Sequence, residues 1–204
     1  MTDRAASTPA EALRLLTEGN VRFAADRRRV GRTDPERRSE LTASQAPFAT
    51  ILGCSDSRVP FEHVFDAGIG DLFAIRNAGQ IADDVVLGSI EFAVVALGTP
   101  LVVVLRHTLC GAVNAARSDE PVPAPHLQVL VDAIAPSVER VRATDPGLAQ
   151  ESVGAAHLEA TMRTILERSG AVSDAVAEGR LAVVGATYDL ETGVVHVDTV
   201  VGSV

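Results

Sequence analysis

The sequence predicts an α/β fold, a mostly parallel central sheet covered by helices. Three observations carry the prediction. Short apolar runs at 48–52, 72–75, 101–105 and 181–184 have the length of buried strands. Segments with helix entry signals fall between them, and strands alternating with helices read as βαβ units. The composition is 47% hydrophobic but only 3% aromatic, with abundant alanine and valine, which suits a sheet with helices on its faces. A chain of 204 residues can bury the core of one domain. No internal repeat and no second boundary interrupts residues 1–204, so the division is an N-terminal helical arm, 1–44, and an α/β core, 45–204.

Taken in order, Thr8-Pro9-Ala10-Glu11 starts a helix. Threonine caps, proline suits the first helical position, and glutamate three residues after the cap completes a capping box. Leu13, Leu16 and Phe23 supply its apolar stripe. Arg27-Arg28-Arg29 and Arg32 form a basic run, read as a solvated turn, with pairing to an acidic surface of a second subunit as the alternative. Asp34-Pro35 opens a second helix expected to reach about Ser44. The strand 48–52 then delivers Gly53-Cys54-Ser55-Asp56-Ser57-Arg58-Val59-Pro60. The strand 72–75 ends at Arg76-Asn77-Ala78-Gly79. Asp83 or Asp84 caps a helix over 85–97, closed by Gly98-Thr99-Pro100. The strand 101–105 leads through Arg106 to His107-Thr108-Leu109-Cys110, and Cys110 stands before a helix over 111–117. Residues 118–125 are a proline-rich loop. Helices are expected at 128–142, 149–168 and 172–179. A strand at 181–184, a turn at 188–193 and an alternating strand at 194–201, suited to a sheet edge, complete the chain.

The formal net charge is −9, and every basic residue apart from histidine is arginine. Nothing in that balance marks a nucleic-acid footprint. No apolar run approaches a membrane span, and Met1-Thr-Asp-Arg4 leads into no apolar signal region. Two cysteines in such a chain point to a reducing, cytoplasmic setting, where metal or catalytic use is favoured over a disulfide.

Chemistry concentrates at two strand ends. Each of the two cysteines follows an apolar strand, and His107 stands three residues before Cys110. Two sulfurs and an imidazole at adjacent strand ends are three ligands for zinc, with a fourth position open to water. Water on such a centre loses a proton far more readily than free water. Two thiolates blunt that effect, so a helper group matters. Asp56 is placed to accept a hydrogen bond from a zinc-bound hydroxide, and Arg58 to hold Asp56 ionised through a bidentate pair. The same spacing allows Asp56 to fill the fourth position and close the site. Each part alone has a plainer reading: a buried hydrophobic cysteine, a surface Asp–Arg pair, a stray histidine. The joint pattern is far more specific than its parts.

Cys54-Ser-Asp-Ser-Arg58-Val-Pro60 together with His107-x-x-Cys110-Gly111 resembles the β-class carbonic anhydrases. Residues 70–79, 89–93 and 185–189 also look like that family, so the resemblance covers most of the chain. It implies an α/β zinc enzyme for the reversible hydration of CO2 to bicarbonate and a proton. It also implies a homodimer, often paired into a homotetramer, with N-terminal helices packing on a partner subunit and active sites near the interface. By matched position, Cys54, His107 and Cys110 are the zinc ligands and Asp56–Arg58 the catalytic dyad. Gln45 matches a glutamine that donates to substrate, and Phe73 and Ala78 match apolar positions lining the CO2 pocket.

The chain departs from the family pattern in places. Arg106 stands where glycine usually precedes the histidine. Strand alternation should turn it away from the face presenting His107, to pair with a carboxylate there or to reach the pocket entrance. Phe92 replaces a frequent tyrosine. Ile51 occupies the place of a tryptophan that, with the residues matched by Arg76 and Tyr188, forms an inhibitory bicarbonate site in one subclass, so that site is expected to be absent or weakened. Arg106 and Phe92 sustain an alternative, a hydrolase of carbonyl sulfide or carbon disulfide on the same scaffold. A non-catalytic zinc-binding relative and a thiol redox switch are further alternatives. His63 reads as structural or, as a lesser alternative, a proton shuttle. Glu91 reads as part of a structural pair, and His126, His157 and His196 have no visible partner.

Overall fold

The computed structural model describes residues 6–29, 33–118, 120–145 and 147–204. Arg32 of the basic run and residues 1–4 lie outside the described residues. Five strands form one sheet: β1 (Ala49–Cys54), β2 (Leu72–Asn77), β3 (Leu101–His107), β4 (Ala182–Tyr188) and β5 (Val195–Val201). Their spatial order is β2-β1-β3-β4-β5. The first four strands run parallel; β5 takes the edge position its alternating pattern suits, and it runs antiparallel. The chain leaves β1 for β2 on one side and returns to β3 on the other. Connections at the carboxyl ends of β1 and β3 therefore diverge and open a crevice between them.

Both sheet faces are covered, and the strands alternate between two cores. Ile51, Leu101, Val103, Leu105, Val184 and Ala186 face one cluster; Leu52, Val102, Val104 and Val183 face the other. The first face carries α1 (Pro9–Ala24) and the short α3 (Phe61–Val64), which contributes fully buried Phe61. The second carries α4 (Asp84–Glu91), α7 (Gln150–Arg168) and α8 (Gly170–Ala177). A third cluster at the carboxyl edge combines Cys54 and Cys110 with apolar residues of α5 (Gly111–Arg117), α6 (Pro125–Arg142) and α7.

Thr8 caps α1 by accepting from the N–H of Glu11, and Glu11 reaches back to the N–H of Ser7, one residue before the cap. This helix is seated on its own chain. Buried Asn20 donates to the carbonyls of Val64 and Gly193 and accepts from the N–H of Val195, so its amide is satisfied by three distant backbone groups. Arg22 pairs with Asp66. The expected second helix, α2 (Pro35–Glu40), stops short of Ser44; none of its residues is buried, and it is held by the Asp34 cap and by Arg37, which donates to the Ile69 carbonyl and pairs with Asp71.

The helix expected over 85–97 changes character midway. It is α-helical to Glu91 and π-helical over Phe92–Ala96, and the N–H of Leu97 bonds to the carbonyl of Phe92. That wider turn leaves Phe92 and Val95 exposed beside Val85. Strands β1 and β3 run farther than the apolar runs indicate, so Cys54 and His107 are their last residues. Helix α6 begins at Pro125, which takes the first-turn position.

The tightest approach of α1 to its seat is at Gly19, where an added Cβ would lie 1.9 Å from the Phe65 carbonyl oxygen. Gly19→Ala is expected to destabilise the protein by about 2–3 kcal/mol, because backbone must move to admit the methyl group. Denaturant unfolding of the two proteins measures this.

Candidate metal centre

Adjacency of β1 and β3, in register from Thr50↔Val102 to Gly53↔Leu105, brings their last residues together. Cys110 then caps the start of α5 and returns its sulfur to the same point. The Sγ atoms of Cys54 and Cys110 are 4.0 Å apart, and both cysteines are free. Together with a ring nitrogen of His107, the three donor atoms lie within 4.8 Å of one another. The Nδ1 of His107 lies 2.8 Å from the Thr108 carbonyl oxygen. A carbonyl only accepts, so Nδ1 carries the proton and Nε2 presents a lone pair. That buried Nε2 has no hydrogen-bond partner among the described residues. An orphaned imidazole lone pair facing two sulfurs fits a metal ion. Metal–sulfur bonds of about 2.3 Å at a tetrahedral angle would separate the sulfurs by a little under 4 Å, close to what is observed.

The electrostatics agree. Cys110 donates toward Cys54 and lowers the Cys54 thiol far below its ordinary value; the N–H of Gly79 at 3.5 Å assists. The same contact with Cys54, then burial, pushes Cys110 up, against the opposing N–H groups of Val113 and Ala112. The pair loses one proton readily and resists losing the second, because two thiolates this close repel.

Asp56 and Arg58 form the expected bidentate pair. Arg58 Nε donates to Oδ1 at 2.9 Å and Nη2 to Oδ2 at 2.7 Å, and the Arg58 N–H adds a third bond to Oδ1. The guanidinium holds the Asp56 carboxyl at about 2. Asp56 Oδ2 is 3.8 Å from His107 Nε2, so the carboxylate borders the cluster while both its oxygens stay on Arg58.

Other residues hold the backbone that carries these groups. Arg76 donates to the carbonyls of Cys54 and Asp56 and lies over the Phe61 ring. Gln150 donates to the Cys110 carbonyl at 2.9 Å. His157, buried on α7, donates from Nε2 to the Gly79 carbonyl at 2.7 Å, while the Gly79 N–H meets Cys54. In the sequence His157 has no visible partner and Gln150 carries no signal. These contacts join residues far apart in the chain, and the one local signal was the position of His157 between buried Ala156 and Leu158.

Arg106 pairs with a carboxylate, and it lines a small cavity together with His107, Cys110 and Gln150. Its Nε donates to Thr187 Oγ1 at 2.7 Å and its Nη1 pairs with Glu151 Oε2 at 2.8 Å. Ala78 stands next to Gly79, close to the cluster. Phe73 does not: Asn77 is in register with Cys54, and Phe73 lies four positions back on β2, about 13 Å along the strand, against Phe92. Gln45 is exposed in the segment entering β1 at its amino end, whereas Cys54 closes the carboxyl end. His63 is exposed and contacts Arg28, and Glu91 accepts from Ser169. A cavity of about 580 Å³ between the start of α1, Gly98–Pro100 and the end of α8 lies at the opposite edge of the sheet.

A family model described as carbonic anhydrase matches residues 49–195, which include Cys54, His107, Cys110, the Asp56–Arg58 pair and the residues that hold the backbone around them. The chain belongs to the carbonic anhydrase family. It is 43% identical over 191 residues to carbonic anhydrase 2 of Mycobacterium tuberculosis (strain H37Rv), covering 92% of this chain and 91% of that one. It is 41% identical over 202 residues to the carbonic anhydrase of Mycolicibacterium smegmatis, covering 97% of each. Among solved structures, a Coccomyxa β-carbonic anhydrase in complex with acetazolamide superposes with a TM-score of 0.73 at 27% identity, covering 80% of this chain and 78% of that one. A structure from Sordaria macrospora, described as tetrameric, gives 0.72 at 26% identity, covering 80% and 86%. The mostly parallel, helix-covered sheet of this chain is thus the β-class fold.

The dyad sets a pH dependence. Arg58 lowers the Asp56 carboxyl from an ordinary 3.8 to about 2 in the folded protein. The stability this supplies is complete above about 4 and is lost as pH falls through about 2. Arg58→Gln should return Asp56 toward its ordinary range and flatten the stability profile between those limits. Carboxyl NMR titration and unfolding at stepped pH measure the two effects.

Proposed function

We propose that Cys54, His107 and Cys110 hold a zinc ion and that the protein catalyses the reversible hydration of CO2 to bicarbonate and a proton. The observation that carries this reading is the orphaned Nε2 of His107 facing two sulfurs beside an ionised Asp56–Arg58 pair. Two cysteines and one histidine are a catalytic zinc set, with a fourth position left for exchangeable ligands. When bound there, zinc supplies the Lewis acidity that makes hydroxide available from water near neutral pH.

The chain's own groups do the rest. Asp56 accepts a hydrogen bond from the attacking oxygen and so fixes the direction of its free lone pair. Arg58 keeps Asp56 an acceptor by holding its carboxyl at about 2, far below working pH. Because both Asp56 oxygens lie on Arg58, the fourth position stays open; a closed state, with Asp56 as fourth ligand, requires those bonds to break. Ala78, beside the cluster, offers CO2 an apolar wall. Gln45 and Phe73 sit away from their own chain's cluster and serve a substrate pocket only across a subunit boundary. An exposed apolar stripe, Val85, Phe92 and Val95, beside the edge strand β2 supports a homodimer or a dimer of dimers. Residues 1–44 act as an arm in that assembly through α2, while α1 stays on its own core. Among the described residues, no helix is long and apolar enough to cross a membrane. The two free, buried thiols support a cytoplasmic setting.

Stopped-flow CO2 hydration with zinc content measured on the same sample tests the reading. The expected result is about one zinc per chain and activity rising with pH. Cys54→Ser should lose zinc and activity together. Asp56→Asn should keep zinc and lose on the order of 10²-fold in kcat/KM, the lower range for a positioned proton-transfer group. A zinc-loaded protein inactive between about pH 6.5 and 9 would overturn the assignment.

A further inference from the structure

Two of the three ligands, His107 and Cys110, are separated by Thr108 and Leu109. Leu109 has φ +56°, the left-handed region, although it is neither glycine nor asparagine. Its side chain is largely exposed, so no burial of the leucine offsets that strain. Both of its backbone polar groups meet charged side chains. The N–H points at Glu151 Oε1 and the carbonyl accepts from Arg58 Nη2, each at 3.4 Å.

Glu151 is held in turn. Its Oε2 is paired with Arg106, whose Nε is anchored on Thr187 Oγ1 at 2.7 Å; Thr187 itself donates to Asp198 at 2.5 Å. Helix α7 is notched to admit the guanidinium: a Cβ at Gly154 would lie 2.8 Å from Arg106 Nη1. The residue just before the first ligand of the loop thus reaches across β4 and α7 and returns, through Glu151, to the residue just before the second.

We propose that Arg106 and Glu151 form a positioning strut that holds Leu109 in its left-handed conformation and thereby sets how tightly the His107–Cys110 loop retains its metal. The metal half rests on the reading of Cys54, His107 and Cys110 as a zinc site; the backbone half does not. Glu151 touches neither ligand side chain and acts through the loop backbone alone. Partners that orient ligands in this indirect way typically change metal affinity by about 10–100-fold when removed.

The test uses the purified full chain and four variants: Glu151→Ala, Glu151→Gln, Leu109→Gly, and Glu151→Ala combined with Leu109→Gly. Zinc release is timed with a chromogenic chelator, and exchange of the backbone amide at position 109 is followed by NMR in every protein. Glu151→Ala should release zinc about tenfold faster and exchange the Leu109 amide faster. Glu151→Gln, which keeps an acceptor, should fall between it and the parent. Leu109→Gly should abolish the effect of Glu151→Ala on release, because glycine needs no strut to adopt positive φ. A merely structural role at the start of α7 would slow or speed release equally in the leucine and glycine backgrounds, and that result overturns the proposal. Unchanged Leu109 exchange in Glu151→Ala overturns it whatever the metal. A purified parent without zinc whose Leu109 exchange responds to Glu151→Ala supports the strut and overturns the zinc reading alone.

Discussion

Two sulfurs 4.0 Å apart in an apolar cluster cannot both carry charge unless a cation shares the space. The rest of the structure is arranged around that demand. The first thiol ionises with the help of its neighbour and of the Gly79 N–H; the second is held protonated by the first. An imidazole lone pair with no partner among the described residues faces the same point. Such a cluster is a poor way to fill a core and a good way to hold a metal ion, because a metal satisfies all three groups at once.

The sheet order supplies the means. Placing β1 and β3 side by side, with β2 and β4 outside them, lets two parallel strands end in diverging loops around one crevice. The three candidate donors sit on the ends of rigid strands and at the start of a helix, while polar side chains from outside the loops fix the backbone. Arg76 holds the Cys54 and Asp56 carbonyls, Gln150 holds that of Cys110, and His157 holds that of Gly79. Each is a long-range contact between a side chain and a main-chain group, so the site's precision comes from elements distant in sequence.

That division explains what the sequence makes legible. Strands, helices and their order follow from short periodic runs and caps, and the convergence of Cys54, His107 and Cys110 and the Asp56–Arg58 pair follow from local motifs at strand ends. Boundaries that local patterns do not show are those where tertiary context decides. The π-helical turn at 92–96 has no local signature, and α2 is shorter than its entry signal suggests because it has no buried face to extend. Arg106 illustrates the mixture. Alternation along β3 indicates its direction, but only the folded chain reveals Glu151, Thr187 and the notch at Gly154 that receive it. Phe73 and Gln45, matched by sequence position, do not meet the cluster of Cys54, His107 and Cys110 in the folded chain.

The two sulfurs that meet are 56 residues apart, and a whole strand excursion, out to β2 and back, lies between them. Parallel pairing of this kind closes long loops and is slow to form. No local nucleus can assemble the three donors: β1 and β3 must already be in register before the cluster exists. A chain with misaligned or swapped central strands would therefore present scattered thiols rather than a chelating pocket. A metal ion held by these three donors would accordingly report on the completed topology of the sheet, and an early-arriving cation would find only single-thiol contacts on a partly folded chain.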